Sequence, residues 1–407
     1  MHTILLTPQD TLFFRDARPM SGSLMGHTAY WPLPQTFNHA LLSAFHRAEL
    51  DRRAADKKYG SLITAGPFPV SPENVWYLPT PADIVKSSDV VKIGIRPVKL
   101  KNPGSLPKPL THALGATVPP AKDGKLPGWI AAAACQKYIA GEMPAMNDFK
   151  AYTEIGDTES RIGIGIDPDT QTQDGERIYT AQYLRLQSGW RLGCFAQAAD
   201  EKDGDFVEQL LAKEDKIIIG GQQGICSIDK SCDGPPGDIL NPASDLKFSS
   251  RFLKWVLLAP AVFPEIVNDE CRNIRGHSGG WLPNWIDPDN GNVLLRETVE
   301  RKLRETREEW RRRVREAGEL KGRLIAACIP GVTEISGWSL ESKAKPTQLA
   351  VSAGAVYYFE CDDTAAAQKL AGALNFPNRR STLFGEKGFG IGICAPVAES
   401  EILHTEL

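Results

Sequence analysis

Phe384-Gly-Glu-Lys-Gly-Phe-Gly-Ile-Gly392 is a glycine-rich loop, and the segments on either side of it decide the predicted fold. The alanine-rich segment Thr364–Leu374 before it has the composition of a helix, and Phe389–Ala395 has that of a buried strand. The loop therefore runs into a strand. The Gly-Lys-Ser/Thr ending of a nucleotide-binding loop is absent, and a dinucleotide fingerprint follows a strand instead of leading into one. We predict that the loop Gly385–Gly392 joins the last helix and the last strand of an α+β unit.

The segments upstream complete a βαββαβ order in the second half of the chain. The predicted elements are a strand at Phe252–Leu258, a charged helix at Arg296–Glu316, and strands at Arg323–Cys328 and Ala350–Glu360. Glutamate–arginine pairs four residues apart, such as Glu308/Arg312, each stabilise an exposed helix by about 0.2–0.5 kcal/mol. The arginine run 311–313 is typical of a solvated helix face, with contact to phosphate or to an acidic partner as the alternative.

The first half of the chain shows the same order. Its predicted elements are a strand at Thr3–Thr7, a helix from Thr36, strands at Arg161–Ile166 and Ile178–Leu186, a helix at Phe206–Leu211 and a strand at Lys216–Gly220. Residues 51–159 form one long insertion, and the Pro/Gly/Asp-rich stretch Asp233–Asp245 marks the boundary between domains 1–240 and 241–407. The predicted fold class is α+β, with two tandem ferredoxin-like (RRM-like) domains and a long insertion in the first.

Composition indicates a soluble globular protein that holds no cofactor. The 407 residues are 42% hydrophobic and carry a net charge of −3. Met1–Leu6 lacks the layout of a signal peptide, and no apolar run is long enough to cross a membrane, so we expect a cytoplasmic protein. The eight cysteines form no CxxC pair. Cys226, Cys232, Cys271 and His277 lack the spacing of a structural zinc site, and we predict no metal.

Nucleic-acid binding must come from local basic patches, because the whole chain is slightly acidic. Between Lys86 and Lys125, eight Lys/Arg residues face two aspartates, an excess of six. In the glycine-rich loop, Gly388 and Gly390 leave room for backbone N–H groups to approach phosphate, and Lys387 adds a charge. Arg379 and Arg380 lie just upstream. Phe389 either stacks on a base or belongs to the core.

A second group of candidates follows the first strand. Arg15 and Arg18 lie at the end of a sheet, where one guanidinium is available for phosphate or a base edge. The alternative is that Asp16 holds an arginine as an internal clamp. Catalysis finds little support in the sequence. His27, His39 and His46 are the histidines considered as a general base for metal-free RNA cleavage, and no nucleophile elbow or tight carboxylate cluster accompanies them.

Five segments carry a family likeness. They are Thr7-Pro-Gln-Asp-Thr-Leu-Phe-Phe-Arg-Asp-Ala-Arg-Pro19, Arg161-Ile-Gly-Ile-Gly-Ile-Asp167, Ser336-Gly-Trp338, Val351-Ser-Ala-Gly-Ala-Val-Tyr357 and the glycine-rich loop, in this order between residues 4 and 396. Together they resemble the third-subunit family of the type III-B CRISPR (Cmr) effector complex, in the RAMP superfamily. Two segments depart from the family pattern: Pro32–Ala40 lacks its glycine and arginine, and Gly220-Gly-Gln-Gln-Gly224 lacks its charges.

The resemblance implies a non-catalytic RNA-binding subunit for antiviral defence, with two ferredoxin-like domains. Its partners would be the 5′ handle of CRISPR RNA, the large polymerase-like Cmr subunit and the backbone RAMP subunits, with target RNA met indirectly and no membrane. The alternative is a metal-independent RAMP-type endonuclease that processes CRISPR RNA with a histidine base. With Arg161 added by the resemblance, the predicted RNA-binding residues are Arg15, Arg18, Arg161, Arg379, Arg380, Lys387, Gly388, Phe389 and Gly390.

Overall fold

The computed structural model describes most of the chain, in ranges that leave out several loops. The described residues are 1–15, 25–29, 31–48, 62–87, 90–119, 125–167, 169–200, 204–229, 248–272, 274–297, 299, 305–337 and 345–404. The helices are α1 (Pro34–Arg47), α2 (Ala132–Ile139), α3 (Tyr152–Ile155), α4 (Phe206–Lys213), α5 (Arg307–Glu316) and α6 (Thr364–Leu374). Within these ranges, no helix is long and apolar enough to cross a membrane.

Strands dominate the chain. In the first half they are β1 (His2–Pro8), β2 (Met25–Gly26), β3 (Ile63–Val70), β4 (Tyr77–Pro79), β5 (Ile84–Ser87), β6 (Val90–Ile93), β7 (Ile95–Lys99), β8 (His112–Ala116), β9 (Trp129–Ala131), β10 (Phe149–Lys150), β11 (Gly156–Ile166), β12 (Gln173–Leu186), β13 (Arg191–Gln197), β14 (Ala199–Asp200), β15 (Gly204–Asp205), β16 (Lys216–Ile218) and β17 (Ile225–Asp229). In the second half they are β18 (Phe252–Leu257), β19 (Gly322–Cys328), β20 (Val332–Ile335), β21 (Gln348–Val351), β22 (Val356–Cys361), β23 (Gly392–Val397) and β24 (Leu403–His404).

The first main sheet has five strands in the order β16-β17-β1-β13-β3, and all neighbours are antiparallel. Helices α1 and α4 cover one of its faces. Phe37 and Leu41 lie four residues apart and so project from the same side of α1. They pack in one core with Ile4 and Leu6 of β1, whereas Leu5 belongs to the core on the opposite face. This alternation is the strand period of two, and it buries β1 on both faces.

The second main sheet has four antiparallel strands in the order β19-β22-β18-β23. Helix α6 covers its outer face through Leu370 and Leu374. The helix starts where the Asp363 carboxylate accepts a hydrogen bond from the Ala366 N–H at 2.7 Å, a typical N-cap. Helix α5 buries no residue. Its place on the sheet is taken by the segment 259–297, whose buried side chains include Phe263 and Ile286.

The inner faces of the two main sheets share one core with the segment between β3 and β10. Phe195 of the first sheet, Val256 of the second and Trp76 from this segment belong to the same apolar cluster. Within it lies a buried ion pair, because the Lys254 ammonium is 2.9 Å from an Asp83 carboxylate oxygen. The two halves of the chain are therefore joined through a common interior.

The mixed α+β prediction with mostly antiparallel sheets is confirmed, but the assignment of strands in the first half was wrong. Arg161–Ile166 and Ile178–Leu186 do form paired strands, yet they belong to the hairpin β11–β12, which joins β2 in a separate sheet. The main sheet uses β3 and β13 instead. Strand β3 lies inside the presumed insertion 51–159. It carries two prolines and a glycine, which an edge strand tolerates and which hide the strand pattern.

Two predictions in the second half also need correction. The charged helix begins at Arg307 instead of Arg296, because Thr306 and Glu309 form a reciprocal capping box. The presumed single strand 350–360 is two strands, β21 and β22, which a turn with Gly354 at φ +85° separates. The sequence places the strand at Arg323–Cys328 beside the strand that ends at Glu360. This pairing is confirmed, because β19 and β22 are antiparallel neighbours. The predicted boundary at Asp233–Asp245 lies outside the described residues.

A buried histidine leads to a prediction on stability in mild acid. His112 of β8 is 3% exposed, and burial, with Lys99 as the next cause, lowers its pKa to about 4. The unfolded value is near 6.5, so between these two pH values the unfolded chain binds more protons. The free energy of unfolding should therefore fall by about 2–3 kcal/mol as the pH drops from about 6.5 to about 4, with no contribution above 6.5.

Urea unfolding of the wild type and of His112→Gln across this pH range checks the prediction. The acid-induced loss of stability should be smaller by about 2–3 kcal/mol in this variant, whereas His46→Gln, at an exposed position on α1, should leave it unchanged. Superimposable pH profiles for the wild type and His112→Gln would contradict the role of His112.

Candidate nucleic-acid interface

A cleft of about 920 Å³ opens between the two halves of the chain. From the first half it is lined by the segment 13–15, the region 28–47 and Gly220–Gly221. From the second half it is lined by residues 258–260, 332–336 and 352–353. The two main sheets and their connections thus build the walls together. Clefts at such junctions are a common place for ligand sites.

Aromatic rings form much of the wall on the first half. Trp31 and Trp129 meet edge to face, with their ring centroids 5.2 Å apart. The Trp31 indole N–H donates to the carbonyl oxygen of Pro67 at 2.7 Å and so fixes the orientation of the ring. Phe14 and Tyr152 line the same cleft. Indole and phenol rings offer flat surfaces on which unstacked bases can lie.

The cleft also favours anions. Arg15 and Arg47 line it, and Glu334 is the only acidic residue among its described lining. Helix α1 begins at this wall, with Pro34 and Gln35 in the lining and no side chain hydrogen-bonded to its first turn. Pro34 has no N–H, and the Thr36 N–H donates to the Leu33 carbonyl at 2.9 Å, so it is mainly the positive end of the helix dipole that attracts negative groups such as phosphate.

His39 projects from α1 into the same cleft. The surrounding protein desolvates its imidazole, which lowers the pKa of His39, and the positive charges of Lys387 and Lys345 lower it further. The ring is therefore kept neutral near neutral pH. A hydrogen bond from the Asn38 amide to the Glu386 carbonyl places the glycine-rich loop beside the middle of α1.

The glycine-rich loop is held by short backbone contacts. Gly388 has φ +92°, and a Cβ there would lie 2.8 Å from the Thr64 carbonyl oxygen. Gly390 has φ +68°, and a Cβ there would lie 2.1 Å from the Ser381 nitrogen. On the α1 side, the Asn38 amide donates to the Glu386 carbonyl at 3.4 Å. These glycines are required by close packing of the loop against β3 and its neighbours.

The charged and aromatic residues around this loop are engaged within the chain. Phe389 is fully buried and packs 5.7 Å from the Phe384 ring, so the core interpretation is correct and base stacking by Phe389 is excluded. The Arg380 guanidinium donates to the Ala373 carbonyl at the end of α6. Arg379 donates weakly to Leu62 and Glu386 carbonyls. Burial lowers the pKa of both arginines. Lys387 is half-buried, and its ammonium lies 5.1 Å from the centre of the Phe384 ring.

The two other predicted RNA-binding arginines have different outcomes. Arg161 does not line the cleft and lies in a second, smaller pocket, where Glu159 and Asp10 hold its guanidinium. Arg18 lies outside the described residues, and so does Asp16, the proposed clamp partner of Arg15. The structure therefore places Arg15 and His39 in the lining of one cleft and Arg161 in a separate pocket, while Lys387 lines neither.

Comparison with known proteins identifies the family. The family described as CRISPR-associated protein (Cas_Cmr3) matches residues 4–394. The chain belongs to this family. The resemblance drawn from the five sequence segments is thereby confirmed. No curated protein matches the chain significantly.

Several solved structures are similar to this Cas_Cmr3 family member. One chain of the type III-B Cmr-beta complex, bound to cognate target RNA and AMPPnP, is 13% identical, with 89% of this chain and 86% of that chain covered at a TM-score of 0.39. One from the Csm3–Csm4 subcomplex of the type III-A CRISPR-Cas interference complex is 13% identical, with coverages of 89% and 94% at a TM-score of 0.37. A Cas6-related protein from Pyrococcus furiosus is 12% identical, with coverages of 60% and 79% at a TM-score of 0.24.

Most of the residues that line the cleft of this family member were not predicted from the sequence. Arg47 is a single arginine at the end of an amphipathic helix, and Trp129 lies in the presumed insertion. Trp31 precedes the proline-rich turn Pro32-Leu-Pro34, which by itself does not distinguish a cleft residue from a core residue. The residues that line the cleft come from segments far apart in the chain, and only the fold brings them together.

Proposed function

We propose that the chain is a non-catalytic, RNA-binding subunit of a type III-B CRISPR effector complex, and that its cleft holds the 5′ handle of CRISPR RNA. The observation that carries this proposal is the combination in one cleft of aromatic rings, two arginines and the positive end of the α1 dipole. Membership of the Cas_Cmr3 family supports it.

A protein that binds single-stranded RNA needs groups for its phosphates and groups for its bases, and the cleft supplies both. The phosphates of the RNA are held by cations and backbone N–H groups, and its splayed bases stack on aromatic rings. Arg15, Arg47 and the first turn of α1 supply the first set, and Trp31 and Trp129 supply the second. Because the guide pairs with its target by base complementarity, the protein needs only to hold the handle in a fixed path.

The strand orders support two ferredoxin-like units as the origin of this architecture. If the strands of the second sheet are numbered 1 to 4 along the chain, they lie side by side as 2-3-1-4, with α6 between strands 3 and 4. The first sheet has the same order when the β16–β17 hairpin counts as strand 4. Helix α5, which buries no residue, is the departure from this scheme.

Assembly with the large polymerase-like subunit and with backbone RAMP subunits is part of the same proposal. One face of the β11–β12 hairpin supports it. Ile162, Ile164 and Ile166 alternate along β11 and are 78%, 49% and 64% exposed, and Ile178 lies opposite Ile164 on β12. A contiguous apolar face of this kind is usually buried against another protein in an assembly.

The test of RNA binding compares charge-removing variants inside and outside the cleft. Arg15→Ala and Arg47→Ala should each weaken binding of a labelled single-stranded RNA of about 12 nucleotides by about tenfold, because each removes a charge-assisted contact to phosphate. Each should also reduce the slope of log affinity against log salt concentration by about 0.7. Fluorescence anisotropy at several salt concentrations measures both quantities.

Arg312→Ala is the matched control, because it removes an exposed arginine from α5, outside the cleft. It should change the affinity less than twofold. If the cleft variants bind RNA as tightly as the Arg312 control, the cleft is not the RNA site.

A metal-independent nuclease remains the second candidate, because the neutral imidazole of His39 lines the cleft and can accept a proton. Incubation of the full chain with labelled repeat RNA in EDTA separates the two functions. We expect intact RNA from both the wild type and His39→Ala. Cleavage at one site by the wild type that His39→Ala abolishes would establish the nuclease instead.

A further inference from the structure

A second pocket of about 270 Å³ lies beside the main cleft and shares Phe13 and Gly221 with it. Its walls are the loop after β1, the base of the β11–β12 hairpin and the turn between β16 and β17. The pocket is large enough for one nucleobase. The function proposed above gives it no role.

One wall consists of three flat side chains in contact, those of Phe13, Tyr183 and Arg161. The Phe13 and Tyr183 rings are 5.3 Å apart, and the Arg161 guanidinium lies 5.0 Å from the centre of the Tyr183 ring. Arg161 donates from Nε to Glu159 at 2.7 Å and from Nη2 to Asp10 at 3.2 Å. The carboxylates therefore hold the edge of the guanidinium, while one of its planes covers Tyr183. The side chain is 40% exposed, so its outer plane is open to a flat ligand.

The electrostatics of this pocket differ from those of the cleft. Asp10 and Glu159 are each shared between Arg161 and Arg185, so two negative and two positive charges cancel. Hydrogen bonds to these arginines and, at Asp10, to a backbone N–H lower the pKa of both carboxyl groups and keep them ionised. The Asp10 carboxylate in the pocket wall disfavours phosphate and accepts hydrogen bonds from N–H donors.

The opposite wall is a strained turn. Gln222 and Gln223 have φ +53° and +55°, and they lie between Gly221 and Gly224 at the β16–β17 hairpin. Two consecutive left-handed residues are typical of a type I′ turn, in which Asn-Gly is the preferred pair. Glutamine at both positions is unfavourable for the fold, and strain of this kind concentrates at functional sites.

The Gln222 amide is also oriented. The Tyr183 hydroxyl donates to its side-chain oxygen, which directs the NH₂ group away from Tyr183. That NH₂ group has no partner among the residues that the structure describes. The NH₂ group of Gln222 is therefore a hydrogen-bond donor in the wall of the pocket, which also contains the Asp10 carboxylate and the planar guanidinium of Arg161.

We infer that this pocket is a subsite for one unstacked nucleobase of the bound RNA, and that it prefers a base with an exocyclic amino group. The base stacks on the outer plane of Arg161. Its amino group donates to Asp10, and a ring nitrogen or carbonyl accepts from Gln222. The inference rests on the proposed RNA-binding function and adds base selectivity to it. Uracil, which has a carbonyl in place of the amino group, cannot donate to Asp10.

The double variant Gln222→Asn/Gln223→Gly gives a test that does not endanger the fold. It installs the preferred turn pair, so its thermal midpoint should equal or exceed that of the wild type. The shorter asparagine no longer reaches the base. Oligocytidylate and oligouridylate of about 12 nucleotides are matched probes, because both are weakly stacked pyrimidines that differ at the amino position.

Anisotropy titrations of the full chain should show that the wild type binds oligocytidylate about tenfold more tightly than oligouridylate, and that the double variant binds both equally. Arg161→Lys, which keeps the charge but loses the planar surface, should also lose most of the preference. A preference that survives in the double variant, or equal binding of both probes by the wild type, would overturn the subsite and leave RNA binding intact. If neither probe binds, the subsite and the proposed function both fail.

Discussion

Replacement of Lys254 by methionine should destabilise the chain by about 3–5 kcal/mol, because it leaves a buried carboxylate without its counter-charge. Asp83 is fully buried, and Lys254 is 4% exposed. Tyr138 and Tyr358 also donate to this carboxylate, at 2.7 and 2.9 Å. The cluster links the segment between β3 and β10 to β18 and β22 of the second sheet, so its loss should loosen the joint between the two halves.

Urea unfolding of matched variants measures this effect. Arg251→Met removes the Arg251–Glu360 ion pair, whose side chains are 47% and 32% exposed, and should cost less than about 1 kcal/mol. The double variant Asp83→Asn/Lys254→Met removes both charges and keeps an acceptor for the tyrosine hydroxyls, so it should regain most of the lost stability. A cost for Lys254→Met no larger than that for Arg251→Met would show that the pair does not join the halves.

Gly390→Ala should destabilise the chain by about 3 kcal/mol. The added Cβ would lie 2.1 Å from the Ser381 nitrogen, and the residue would be held at φ +68°. The backbone cannot easily yield, because the Gly390 N–H donates to Pro260 and its carbonyl accepts from Arg380, both at 2.8 Å. Chemical denaturation measures the loss.

Gly372→Ala is the matched control for this prediction. Gly372 lies exposed on α6, and a Cβ there meets nothing within 4 Å. The same substitution should therefore stabilise the chain by about 0.5–1 kcal/mol through its effect on helix propensity. If the two variants shift the free energy of unfolding in the same direction, the packing role of Gly390 is wrong.

Periodicity predicted those elements whose apolar pattern is dense. Helix α6 was predicted with its observed bounds, and the strands β18 and β19 to within about a residue. The exposed hairpin was misplaced because Ile162, Ile164 and Ile166 alternate as a half-buried strand would. Strand β3 was missed because Gly66 and two prolines interrupt its pattern. Periodicity reports which residues share a face, but it does not report whether that face is covered.

The candidate site was harder to predict than the fold. Arg15 was chosen because it follows a strand at the end of a sheet, and it lines the cleft; Lys387 was chosen from the glycine-rich loop, and it is not among the residues that line the cleft. Phe389, Arg379 and Arg380 were chosen by their neighbourhood in sequence, and their side chains turn inward to the core or to backbone carbonyls. Trp31, Trp129 and Arg47 line the same cleft but come from separate segments of the chain, so no local sequence pattern relates them.

Photo-crosslinking tests the RNA-binding cleft most directly. The full chain is bound to single-stranded RNA of about 12 nucleotides that carries 4-thiouridine, irradiated, digested and mapped by mass spectrometry. We expect the crosslinked residues to include Trp31, Trp129 or Tyr152, which line the cleft, and the crosslinks to fall at least about tenfold in Arg15→Ala/Arg47→Ala. Crosslinks confined to surfaces outside the cleft, such as α5, and unchanged in the double variant, would contradict the assignment of the cleft as the RNA interface.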